Sequence, residues 1–71
     1  MTTYVVLLPI CHTGQRKKCE DAENMMFNST TEMKIHFGSD AEIKDISDFM
    51  DEFNNEEIQQ EKYFMTYITL I

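Results

Sequence analysis

From Thr3 to Ile10 the chain reads TYVVLLPI, a continuous apolar and β-branched run of strand length, the pattern of a strand buried on both faces. Pro9 lacks an amide proton, so it belongs at the end of that strand, on an edge or at a bulge. Farther on, Thr31, Met33, Ile35 and Phe37 alternate with Glu32, Lys34 and His36, which predicts a second, half-buried strand ending at Gly38. Between the two, Gly14 permits a turn. Cys19, Ala22 and Met26 then fall at i, i+3, i+7 within Gln15 to Phe27, predicting a short helix, with an irregular excursion between two hairpin strands as the alternative.

The segment Ser39-Asp-Ala-Glu42 has the spacing of a capping box, in which a hydroxyl and a carboxylate satisfy the first free amides of a helix. A helix starting there gathers Ile43, Ile46, Phe49, Met50 and Phe53 within an arc of about 120°, given about 100° per residue. Asn54 to Glu61 is polar except for Ile58 and reads as a turn and linker. The last ten residues, KYFMTYITLI, are β-branched and aromatic on both faces, as in a central strand. The resulting order is β-α-β-α-β, an α+β chain in which a three-stranded sheet carries one or two helices. One polar strand face favours a two-layer arrangement over a doubly wound sheet, and the pattern leaves the strand order open.

Seventy-one residues make one domain, residues 1–71, whose single core supplies roughly 3–5 kcal/mol. Domains of this size often add a disulfide, a metal or a second subunit. Cys11 and Cys19 are too few for a disulfide scaffold. No apolar run approaches membrane-spanning length, and no basic leader precedes Tyr4 to Ile10, so the expected location is the cytoplasm, with both thiols free.

Charge gives the chain a direction. Residues 40 to 61 hold nine carboxylates against Lys44 alone, about −8, whereas residues 1 to 39 balance four acids with Arg16, Lys17, Lys18 and Lys34; Lys62 completes the total of −7. Such a surface disfavours nucleic acid and anionic membrane as direct ligands and favours a basic protein surface. On the predicted helix, Asp45, Asp48, Asp51 and Glu52 lie opposite the apolar arc, and Glu56 and Glu57 continue the row. Acids late in a helix oppose its macrodipole by about 0.3–1 kcal/mol each in exposed positions. These six residues are therefore the candidate partner-binding set.

Other chemistry is weaker in the sequence. Cys11, His12, Cys19 and His36 are the residue types of a Cys2His2 zinc site, but there is no CxxC, and in a strand Cys11 and His12 would point to opposite faces. A Cys11–His36 nucleophile pair has no orienting acid and no oxyanion-hole turn. His12 to Lys18 combines a glycine with three cations but lacks the paired glycines and GK[ST] of a phosphate loop. A helix-borne row of acids on a solvent face is also unsuited to acid–base work. The sequence thus points away from an enzyme and assigns no cofactor.

In size, acidity and absence of a motif the chain is similar to the short host-modulating proteins of bacteriophages, some of which imitate DNA. That likeness is one of composition, and it implies a small inhibitor acting by occupancy. The alternatives are a self-associating structural module, a homodimer formed through the apolar strands, and a small zinc-stabilised domain.

Overall fold

A computed structural model describes residues 2–10 and 14–71. Three strands, β1 (Thr3–Pro9), β2 (Glu42–Asp45) and β3 (Tyr63–Thr69), form an antiparallel sheet in the order β2-β1-β3. Three α-helices accompany it: α1 (Gln15–Ala22), α2 (Thr30–Phe37) and α3 (Ile46–Asn54), with a 3₁₀ turn at Gln60–Lys62 leading into β3. The class is α+β with a three-stranded sheet, as the pattern indicates, but the order is β-α-α-β-α-β rather than β-α-β-α-β, with three α-helices rather than one or two, and they cover both faces of the sheet rather than one.

The central strand is β1, and the uninterrupted run explains why. Val5, Val6, Leu7 and Leu8 are all fully buried, because helices cover both faces of the strand and neighbours cover both edges. Burial of each such side chain contributes about 1.5–3 kcal/mol. Val6 and Leu8 face a larger core built from Cys19 and Ala22 of α1, Met33 and Phe37 of α2, and Phe27 between the helices. Val5 and Leu7 face a thinner one closed by Phe49 of α3 with Ile58, Tyr63 and Met65 at its margin. The sheet and the α1/α2 layer hold most of the core, and α3 adds a smaller layer on the opposite face.

Pro9 pairs with Tyr63 as the last residue of β1. Ile10 donates to the Lys62 carbonyl and Leu70 to that of Thr2, so even-numbered residues of β1 bond toward β3 and odd ones toward β2. The missing amide proton of Pro9 therefore falls on the β2 side, beyond the Leu7–Glu42 pair where β2 has ended, and no ladder bond is lost.

Four further expectations need correction. Residues 31–37 are helix α2, not a strand. The Ser29 hydroxyl accepts from the Glu32 amide at 3.2 Å, which satisfies one of the free amides that begin a helix, and the Glu32 carboxylate accepts from the amide of Asn28, just ahead of the cap, at 2.8 Å. Met33 is fully buried while Ile35 is 78% exposed, an i, i+4 burial of Met33 and Phe37 rather than an alternating one. His36 is accordingly not on an exposed strand face but half-buried between the rings of Phe27 and Phe37.

The Ser39–Glu42 box starts no helix. Ser39 and Asp40 lie in a turn, Glu42–Asp45 pairs with Leu7 to Tyr4, and the helix begins only at Ile46. Ladder bonds to the otherwise open side of β1 outweigh a cap at that position. The helix through Cys19 exists and buries Cys19 and Ala22, but it ends at Ala22, leaving Met26 76% exposed. Finally, the C-terminal run forms an edge strand, β3, rather than the central one.

Candidate functional site

The acidic segment occupies the sheet's thinner side: β2, α3 and the loop that follows. Its six candidate carboxylates divide into groups with different physical tasks. Asp45 ends β2 and caps α3, its carboxylate accepting from the Ser47 amide at 2.8 Å. A cap of this kind contributes about 1 kcal/mol. Asp48 lies in the first turn, where an anion favours the helix. These two support α3.

Glu52 reaches back across the sheet face to Lys44 of β2, with oxygens 2.9 and 3.2 Å from Nζ. That hydrogen bond, reinforced by the charges of Glu52, Glu42 and Asp48, holds the Lys44 ammonium above its ordinary value near 10.5 despite partial burial. Among the described residues, Lys44 is the one cation paired with a carboxylate of residues 42–61. By contrast, two of the three cations of α1 are matched locally, Arg16 to Glu20 at 3.4 Å and Lys17 to Asp21 at 3.5 Å. That basic pair is a solvated helix surface.

Asp51, Glu56 and Glu57 remain exposed, and Glu61 joins them from the 3₁₀ turn. Around α3, Asp51, Asp48 and Glu52 fall at roughly 140°, 200° and 240° from Ile46, whereas Phe49, Phe53, Ile46 and Met50 span roughly 300° to 40°. No basic residue occupies the last turn of α3.

The helix closes in a Schellman arrangement: Glu57 donates to the Glu52 carbonyl at 2.9 Å and Glu56 to that of Phe53 at 3.2 Å. This geometry puts Glu56 in the left-handed region at φ 60, the position glycine commonly fills. A glutamate there stores about 1 kcal/mol of backbone strain or more. Glu56→Gly is therefore expected to stabilise the fold by about 0.5–1 kcal/mol, read as a raised urea midpoint at unchanged slope. A lowered midpoint would show that the Glu56 side chain supports the fold.

Beside this cap lies a shallow recess of about 710 Å³, lined by Phe53, Asn54, Glu56, Ile58, Gln59 and Glu61. Its apolar part comes from Phe53 and Ile58 and its carboxylates from Glu56 and Glu61. The helical pattern accounts for Phe53, but Ile58 and Glu61 reach the recess only through the path of the loop.

Of the zinc-type residues, Cys11 and His12 lie outside the described residues, as does half of the Cys11–His36 pair. Among the described residues, no three His, Cys, Asp or Glu side chains cluster to hold a metal. Cys19 is a buried free thiol, pushed above its ordinary value near 9.0 by burial and secondarily by Glu20.

The folded chain thus keeps the Cys19 proton to higher pH than the unfolded chain does. Its contribution to stability is complete below about pH 9 and is lost as pH rises through the raised value; that of Lys44 follows only above about 10.5. The melting temperature is expected to begin falling near pH 9. In Cys19→Ala the fall should start about 1.5 pH units later, and an identical profile in the variant would rule out the thiol as its source.

Among the described residues, no helix is long and apolar enough to cross a membrane. Comparison with protein-family models, curated proteins and solved structures finds no match to this chain.

Proposed function

We propose that this protein is a small interaction domain that docks on a basic surface of a partner protein and inhibits it by occupancy, using the acidic side formed by α3 and the loop after it. The observation that carries this reading is charge segregation. Residues 42 to 61 bring about −7 to β2, α3 and the loop that follows, while residues 1 to 39 are neutral. Solubility alone needs no such separation. On a helix, carboxylates at i, i+3 and i+4 stand about 5–6 Å apart. A row of that kind stands in for phosphates in a groove that normally holds nucleic acid, so nucleic-acid-binding proteins are the foremost partner class.

Asp45, Asp48 and Glu52 also serve the fold through the cap, the helix dipole and Lys44. The variant that isolates binding is therefore Asp51→Asn, Glu56→Gln, Glu57→Gln and Glu61→Gln, which leaves those contacts intact. Affinity capture from the native cell with the intact protein beside this variant tests the reading. A partner held by the intact chain and absent from the variant supports it; identical capture by both overturns it.

A second reading, self-association, is favoured by β3. The register turns the backbone groups of Tyr63, Met65, Tyr67 and Thr69 away from β1, and no residue of the strand is charged, although charge is a common protection of sheet edges. Light scattering separates the two: twice the 8.4 kDa protomer mass supports pairing of copies, and the protomer mass contradicts it.

A further inference from the structure

We infer that the recess at the end of α3 receives an arginine side chain of the partner, presented from a basic helix with one apolar side; this rests on the proposed docking face and specifies its chemistry. Four side chains of α3, Ile46, Phe49, Met50 and Phe53, follow helical spacing, yet only Phe49 is buried. Met50 is 45% exposed and Phe53 37%, and Tyr67 of the neighbouring strand is 57% exposed. They form one strip. Phe53 stacks on Phe49 at 5.8 Å between centroids, and Tyr67 meets the same ring edge-on at 6.4 Å. The sheet buries one residue of this helix's apolar side and leaves the other three partly exposed.

Charge complementarity selects the occupant. Glu56 and Glu61 border the recess, and from Asp45 to Glu61 the sequence contains no cation. An acidic apolar partner would be repelled. A basic helix with one apolar side satisfies both the strip and its border, as in other helix-in-groove docking. At the recess the demand narrows. Phe53 offers an aromatic face and Ile58 an aliphatic one, while Glu56 and Glu61 supply carboxylates at the margin. A guanidinium is planar, weakly hydrated and able to stack on a ring while donating to a carboxylate in bidentate fashion; an ammonium is a compact, strongly hydrated charge that does this less well. The strained backbone of Glu56 fits the same reading, since glycine would relieve the strain and remove the carboxylate.

The probes are three fluorescently labelled peptides of about 18 residues, long enough for helix formation. The first is an amphipathic leucine–arginine sequence, the second its lysine counterpart, and the third a scrambled form of the first. With the intact protein, the amphipathic arginine peptide should bind at least fivefold tighter than either of the others. The arginine preference should vanish in Phe53→Ala and in Glu56→Gly, whose relaxed backbone secures folding, and persist in Glu23→Gln on the opposite layer.

Equal affinity for arginine and lysine peptides overturns the recess assignment and leaves the acidic-face reading standing. Equal affinity for amphipathic and scrambled peptides overturns the apolar strip. If no peptide binds even at low salt, both the inference and the docking face fail.

Discussion

Phe37→Ala is expected to cost about 3–5 kcal/mol, enough to leave a large fraction of the chain unfolded at room temperature. Phe37 is among the largest fully buried side chains and lies where α2 meets the sheet, in ring contact with Phe27 at 6.0 Å and His36 at 4.8 Å. Its removal leaves a cavity bounded by the sheet and by two rings that pack on it. Ile35→Lys, two residues away, should change stability by no more than about 0.5 kcal/mol, because that side chain projects into solvent. Urea melts of the two variants therefore test the helical assignment of this segment as well as the core. A strand would place residues 35 and 37 on one face, and both substitutions would then be severe.

The second large effect concerns binding. In the variant Asp51→Asn, Glu56→Gln, Glu57→Gln, Glu61→Gln, four carboxylates at about 0.3–1 kcal/mol each remove roughly 1–4 kcal/mol of attraction to a basic partner, about ten- to a thousandfold in Kd. Stability should hold or rise. All four groups are exposed, the variant keeps the Lys44–Glu52 pair and the Asp45 cap, and mutual repulsion among the carboxylates is relieved. Loss of binding together with unchanged or improved melting behaviour is the signature of a surface selected for recognition. A parallel fall in stability would instead make the carboxylates part of the fold.

The sequence shows some of this structure directly and hides the rest for identifiable reasons. The run from Val5 to Leu8 announces burial on both faces, yet aromatic and β-branched residues make the last ten positions look equally central. Choosing between them required knowing which strand the other two flank. In residues 31–37, positions 33 and 37 share a face in a strand and in a helix alike. Only Ile35 distinguishes the two, together with Ser29 and Glu32, which stand at capping-box spacing. The same spacing at Ser39 and Glu42 leads to a strand, because the outcome there depends on β1, more than thirty residues earlier in the chain.

The acidic face was legible as charge, since nine carboxylates in one segment need no fold to be counted. Its division of labour was not. The cap at Asp45, the pairing of Glu52 with Lys44 and the left-handed backbone of Glu56 depend on where β2 ends and α3 begins. Ile58 and Glu61 meet Phe53 only because the loop returns along the end of the helix.

The most direct test of the docking face is a titration of the leucine–arginine peptide into the intact protein and into the four-carboxylate variant, at about 50 mM and about 300 mM salt. The intact protein is expected to lose at least tenfold in affinity across that range and the variant, already weak, to change little. Equal affinities and equal salt dependence in the two proteins would contradict it.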